Sequence, residues 1–223
     1  MKLAFCIRGH VRDGLTDSSL REYIYSLRQE HYIDLFLHTW NESEAKSSYR
    51  DLDRNSVIKV DETILYHYFK DLNRKIKNII VDDDSKINLI GNLQGTVCKS
   101  SCPLISWKRM WYGKHKVVQS VDNYKDYDIL ISTRYDLFTN VMCKMPPVKF
   151  LRINYGKKLI NFKYPQFAPS IIGVDNYYSG NPENIIKLTS YFYNDLDSII
   201  SKYPDTDYQE ELVYKFATDN NLI

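Results

Sequence analysis

Asp136 comes near the end of the stretch Asp126-Tyr-Asp-Ile-Leu-Ile-Ser-Thr-Arg-Tyr-Asp-Leu-Phe138, where an apolar run suited to a buried strand stops at a guanidinium and a carboxylate. A carboxylate on such a rigid perch suits Mn2+ or Mg2+, hard ions that complete their shells with phosphate oxygens and water. The bare Asp-x-Asp pattern means little, because Asp51/Asp53, Asp82/Asp84, Asp126/Asp128, Asp195/Asp197 and Asp205/Asp207 all satisfy it. Context separates them. Asp51/Asp53 fall in a polar loop, and Asp195/Asp197 fall within a helix, where residues two apart face different ways. Asp205/Asp207 read as turn and cap, and Asp126/Asp128 precede their strand. Asp136 and, as runner-up, Asp82 to Asp84 follow an apolar run directly. The cluster at Asp82 is explained without chemistry as an exposed acidic turn, and that is the favoured reading of it. For Asp136 the competing reading is a turn ion-paired to Arg134.

Two other strand ends carry polar side chains, Arg8-Gly9-His10 and His38-Thr39-Trp40. Gly9 allows close backbone approach to a ligand, and Arg12 can donate a fork of hydrogen bonds to phosphate. Trp40 can stack on a base; a core cap is its ordinary role. Lys108 and Arg109 can face a diphosphate, although helix surfaces carry such charges routinely. Arg134 either touches a donor or orients Asp136. Asp207 and Glu210 have the spacing of a capping box, which explains Glu210 without chemistry and leaves Glu211 open. The five histidines show no metal-ligand spacing. Glycine fingerprints for phosphate or dinucleotide binding and the nucleophile elbow of serine hydrolases are absent, so those enzyme classes lack support.

The elements that must position these residues alternate. Lys2 to Ile7 and Tyr32 to Leu37 read as strands, with a helix between them starting at a Ser18 or Ser19 cap and burying Leu20, Ile24 and Leu27. Ser56 to Val60 reads as a short strand, Asp61-Glu62 as a helix start and Lys77 to Val81 as a strand. Gly91 to Ser101 reads as a mobile loop. Pro103 opens a long helix with the stripe Leu104, Trp107, Trp111, Val118 and Val121, and places Lys108, Arg109, Lys114 and Lys116 largely off it. After the Asp136 strand come strands at Phe150 to Asn154 and Ser170 to Val174. One helix then runs from Asn181-Pro182 through Ile199, and another from about Asp207 to Thr218. This alternation predicts an α/β domain with a mostly parallel or mixed central sheet flanked by helices. Ligands in such sheets lie beyond the carboxyl ends of the strands, where the three polar ends converge.

The chain has 223 residues, 43% of them hydrophobic, and a formal net charge of +2. That is enough to bury a core, and too even a balance to indicate nucleic acid or a membrane surface. The basic stretch Lys70 to Lys77 reads as a solvated helix face. No stretch approaches the roughly 18 uncharged apolar residues of a spanning helix. Four irregularly spaced cysteines fit reduced thiols in a cytosolic protein.

The stretch "DYDILISTRYDLF" resembles the degenerate metal motif "DYDxxIRTRPDLxF" of GT-A glycosyltransferases, in which the last carboxylate of Asp-x-Asp survives. "KLAFCIRGHVRDG" resembles the opening strand and donor loop of that family, and "IDLFLHTW" its second strand and turn. "LISWKRMWYGKHKVV" is similar to the helix before the motif, and "GVDNYYSGNPENIIKL" to the acceptor-side segment "xxDxxxxGxxxxM". The resemblance is nearest to the small glycosyltransferase domain of large algal DNA viruses. It implies a single GT-A-like domain over 1–223, with a donor half to about 140, an acceptor half beyond it, and further domains in a longer protein. It also implies transfer of a hexose from a UDP-sugar to a glycan acceptor with Mn2+ or Mg2+, for capsid glycan synthesis in host cytoplasm. Asp136 would be the metal ligand; Arg8, Gly9, His10, Arg12, Trp40, Arg109 and Arg134 would bind the donor. Asp175 and Glu211 would be the catalytic candidates. Arg134 stands where the first metal carboxylate would be. The alternative is a non-catalytic module that binds nucleotide-sugar or glycan.

Overall fold

A computed structural model of the protein describes residues 1–43, 57–139 and 177–223. Five strands make one mixed sheet in the order β3-β2-β1-β4-β5. They are β1 (Lys2–Arg8), β2 (Tyr32–Trp40), β3 (Ile76–Asp82), β4 (Ile129–Arg134) and β5 (Tyr178–Gly180). β1 pairs in parallel with both β2 and β4, β2 in parallel with β3, and β5 runs antiparallel to β4.

Both faces of the sheet are covered, as continuous apolar strands require. Side chains alternate across the sheet. Leu3, Phe5 and Ile7 of β1 join Leu35, Leu37 and Ile131 in one core. Against it pack Leu20, Tyr23 and Ile24 of α1 (Ser19–Arg28) and Leu65 and Tyr68 of α2 (Glu62–Tyr68). Ala4, Cys6, Phe36 and Leu130 belong to a second core. Its other side is built by α3 (Leu104–Gln119), α4 (Pro182–Asn194), α5 (Leu196–Lys202) and α6 (Gln209–Asp219). There Trp111 stacks on Phe192 with ring centroids 4.3 Å apart and meets Trp107 edge-on at 5.8 Å. Each such aromatic pair adds about 0.5–1.5 kcal/mol beyond the area it buries.

The connections set the strand order. From β1 the chain passes to β2 and then to β3 on one side, and afterwards crosses back to place β4 on the other side of β1. The strand order reverses between β1 and β4, and in open α/β sheets such a reversal opens a cleft beyond the carboxyl ends. Arg8 and Arg134, the last residues of these two strands, are partners in register.

Several expectations need correction. Residues 57–60 form no strand; Lys59 makes only an isolated bridge to Glu42. The helix read from Asn181 to Ile199 is two helices broken at Asp195, which caps α5 and therefore lies outside either helix. Lys108 and Lys114 are buried, because α3 is covered by the sheet on one side and α4 on another. The Lys114 ammonium lies 4.1 Å from the Trp111 ring centroid and 4.5 Å from that of Tyr178, so cation–π contact offsets part of its desolvation. Lys108 reaches the Ile90 carbonyl and, at 2.7 Å, Asp197, tying the loop before α3 to α5. Among the described residues no helix is long and apolar enough to cross a membrane. The strand readings at Phe150 to Asn154 and Ser170 to Val174 lie outside the described residues.

Candidate functional site

β4 ends at Arg134, Tyr135 plugs into the α1-side core, and the turn leaves Asp136 1% exposed. Both carboxylate oxygens of Asp136 are taken. Arg134 donates from Nε to Oδ1 and from Nη2 to Oδ2 at 2.6 Å, and Arg12 donates from Nη1 to Oδ2 at 2.9 Å. Burial alone pushes the Asp136 carboxyl up, but the charges and hydrogen bonds of Arg134 and Arg12 outweigh it. They hold the group well below the usual carboxylate range. Asp136 is therefore an anion at any ordinary pH.

The loop after β1 delivers Arg12 to this carboxylate. It leaves the strand through Gly9 at φ 94° and passes through Arg12 itself at φ 48°. A left-handed non-glycine residue costs about 1–3 kcal/mol and persists where its surroundings over-determine it. Here they do. The Thr39 hydroxyl donates to the Gly9 carbonyl at 3.1 Å, and His10 Nδ1 lies 3.0 Å from the Glu42 carbonyl. Val11 is buried, its carbonyl accepts from Gly14 N–H at 2.8 Å, and the Thr139 hydroxyl donates to Asp13 at 2.9 Å. Gly14 presses on the turn that carries Asp136: a Cβ there would lie 2.5 Å from the Tyr135 carbonyl oxygen. The loop and the turn form one packed unit because residue 14 has no side chain.

Arg12 and Arg134 thus bring two guanidiniums to the Asp136 carboxylate in the turn after β4, while Arg8 stands in register with Arg134 and its charge acts on His38. Such a cluster at a switch point suits an anion with several oxygens, because each planar guanidinium can offer paired N–H donors.

The neighbouring edge, at β2 and β3, is built differently. His38 is fully buried and lies 3.3 Å by Nε2 from Asp82, which also accepts from the Tyr112 hydroxyl at 2.9 Å. Burial pushes the His38 imidazole down, against the pull of Asp82, while hydrogen bonds from His38 and Tyr112 hold Asp82 down despite its partial burial. The consistent pair is a neutral imidazole donating to an ionised carboxylate. Gly113 makes room for it, since a Cβ there would lie 3.0 Å from the ring. Trp40, 3% exposed, stacks on Tyr112 at 5.7 Å and lies 5.8 Å from His10.

The structure therefore joins Arg12, Arg134 and Asp136 in one ionic cluster, sets Arg8 in register beside Arg134, and holds Gly9 and His10 in a loop against Thr39 and Glu42. Trp40 borders that loop as a packed ring whose face is covered by Tyr112, the core-cap role. Arg109 stands at the β3 side, 3.3 Å from Asp84. Glu211 sits in the first turn of α6, accepts from the Asp207 N–H at 3.2 Å and pairs with Lys215 at 2.9 Å. Tyr208 is the N-cap residue, so the reach-back role of a capping box falls to Glu211 rather than Glu210. Asp175 lies outside the described residues. The sequence marks Arg8 to Gly14 as a turn-rich loop, but not the approach of Gly14 to the Tyr135 turn or the role of Tyr112. A glycine two residues after Arg12 was a usable signal for a tight loop; nothing local marked Tyr112.

A divalent ion needs carboxylate oxygens facing it. At Asp136 those oxygens face two guanidiniums, whose charge repels a cation, and the residues as arranged do not fit Mn2+ or Mg2+ there. Asp82, Asp83 and Asp84 turn to His38 and Tyr112, to Ser85 and Lys86, and to Arg109 respectively. Among the described residues no group of three or more His, Cys, Asp or Glu side chains could hold a metal. Compared with known proteins, the sequence matches no protein-family model and no curated protein.

Proposed function

We propose that the chain is a glycosyltransferase domain that moves a hexose from a UDP-sugar to a glycan acceptor, in the building of a capsid glycan. The observation that carries this reading is the pair of guanidiniums, Arg12 and Arg134, held on Asp136 beside the β1/β4 switch point. The order of the sequence segments that resemble GT-A enzymes supports it further. The donor diphosphate lies across the crevice, with Gly9 giving its oxygens access to the backbone and His10 beside the ribose. In the reaction the bond from the anomeric carbon to the diphosphate oxygen breaks and the acceptor oxygen bonds to that carbon. The acceptor proton passes to a base, and negative charge stays on UDP. Preset donors aimed at that developing charge are the largest contribution such a site can make. Arg12 and Arg134 take that task in this reading. Asp175, by its sequence context, is the acceptor-side carboxylate; Glu211 is committed to the start of α6.

A second reading is a module that binds nucleotide-sugar without turnover. It is favoured by the full commitment of Asp136 to arginines. Incubation with UDP-glucose and glycan acceptors, followed by the UDP released, separates the two. The enzyme reading expects release beyond one UDP per chain, lowered about tenfold or more by Arg12→Gln as one charge-assisted contact is lost. Binding without release would leave the module, and neither binding nor release would overturn both.

A further inference from the structure

We infer that the outer edge of β3 pairs with β3 of a second copy of this chain, antiparallel about a two-fold axis at Ile80, so that two sheets join into one. β3 closes the sheet on one side and is hydrogen-bonded to β2 alone. The Asp82 carbonyl accepts from Asn41 N–H at 2.8 Å, as the register Trp40↔Asp82 requires. Within a strand the N–H and C=O of one residue point the same way, and the direction alternates from residue to residue. Asn78, Ile80 and Asp82 therefore face β2, and Ile79 and Val81 face outward. Among the described residues nothing donates to or accepts from the backbone of those two.

An open sheet edge is ordinarily blunted by charge, proline or a bulge. Here the register slips between Leu35 and Phe36, which leaves Lys77 as the extra residue. Beyond that bulge the stretch Asn78-Ile-Ile-Val81 carries no charge and no proline, and Ile79, Ile80 and Val81 are each half-buried. Ile80 and Val81 pack into neither core. This edge is complementary to itself. A two-fold axis along the strands cannot pair identical edges, because parallel pairing sets a residue that faces its neighbour against one that faces away. An axis across them gives antiparallel strands. With the axis at Ile80, Ile79 lies opposite Val81 of the second copy, both face the junction, and each such pair exchanges both of its hydrogen bonds. Lys77 then meets Asp83 of the second copy at either end, and opposite charges in that position are favourable. Lys77 lies 3.5 Å from Asp34 and Asp83 lies 2.9 Å from Lys86, so each meeting extends an existing ion pair. An axis at Ile79 would set Lys77 against Val81, and an axis at Val81 would set Ile79 against Asp83. Both copies use the same edge, so the assembly closes as a dimer.

The test is sedimentation velocity of the whole chain at rising concentration, beside Val81→Pro and Val81→Lys, with the fold of each followed by circular dichroism. Val81→Pro removes an N–H that the single chain leaves unused, a change that edge strands accept. Val81→Lys sets a charge against Ile79 of the second copy. The wild type should pass from monomer to dimer, and each variant should raise the dissociation constant about tenfold or more. Ile80→Cys reads the register, because residues facing away from the junction stand about 4.5 Å apart between Cα atoms, within reach of a disulfide. Oxidised glutathione should take up the electrons and protons of the two thiols, leaving reduced glutathione and a covalent dimer. Its yield should exceed that of the wild type and of Ile79→Cys. A chain that stays monomeric at every concentration, a dimer that survives both Val81 variants, or cross-linking no greater in Ile80→Cys than in Ile79→Cys would each overturn the inference. Where a Val81 variant does not fold, the wild-type sedimentation and the cross-link decide.

Discussion

Asp136, in the turn just after β4, and Asp82, the last residue of β3, both lie at the carboxyl ends of parallel strands, and their surroundings differ in kind. Asp136 is buried and held by permanent cations, Arg12 and Arg134. Asp82 keeps about a quarter of its side chain exposed and is held by a neutral imidazole and a phenol. The β2/β3 edge is bordered by stacked Trp40 and Tyr112, and the positive charges that act on it, Arg8 and Lys116, are not ion-paired to Asp82 among the described contacts. A carboxylate at a strand end is thus no indicator of a metal site by itself. What its oxygens face decides its chemistry.

The sharpest way to break the contrast is to remove each carboxylate. Asp136→Ala leaves two largely buried guanidiniums without their counter-ion and should cost about 3–5 kcal/mol in denaturant unfolding. Asp82→Ala leaves a hydroxyl and an N–H unaccepted beside solvent, and should cost about 1–2 kcal/mol. Equal losses would refute the claim that the two sites differ in kind. Gly14→Ala should come next, at about 1–3 kcal/mol, because the new methyl group meets the Tyr135 backbone and forces loop and turn apart. It should weaken UDP binding as well, which Asp82→Ala should not.

Acid titration separates the two edges without mutation. The folded pKa of His38 is depressed, so between it and the ordinary value of about 6.5 the unfolded chain binds the extra proton. The contribution of His38 to stability is full above that value and is lost as pH falls through the folded pKa. Asp136 is also depressed, but from a carboxylate value near 3.9, so its contribution persists until the solution is more acidic than that. Melting temperature against pH should therefore begin to fall below about 6.5. His38→Gln should reduce this first limb, to which the likewise depressed His115 also contributes, and leave the acid limb in place. The smallest effect belongs to Tyr112→Phe, about 0.5–1.5 kcal/mol for one hydrogen bond to a partly exposed carboxylate.

The sequence revealed the parts of the molecule that depend on local pattern. The apolar runs of β1, β2 and β4 announced buried strands, and the abrupt change at Arg134 marked the carboxyl end where Asp136 lies. Long-range facts were hidden. Arg12 and Asp136 are 124 residues apart, and their ion pair follows from the strand order rather than from any motif. The burial of Lys108 and Lys114 was equally unreadable, since helical spacing identifies one apolar stripe and α3 is covered on two sides. Glu211 displaced Glu210 from the capping role because the N-cap falls at Tyr208, one residue beyond the aspartate that looks like a cap. A shift that small is within the ordinary uncertainty of helix starts.

The claim on which the rest depends is that the ligand seat lies at the β1/β4 reversal and not at the β2/β3 edge. Backbone amide chemical shifts recorded while UDP is added in EDTA test it directly. The account predicts movement centred on Gly9, Arg12, Arg134 and Asp136, with His38 and Asp82 to Asp84 nearly still. Movement centred on Asp82 to Asp84 and Arg109, with the Gly9 to Gly14 loop unmoved, would contradict it.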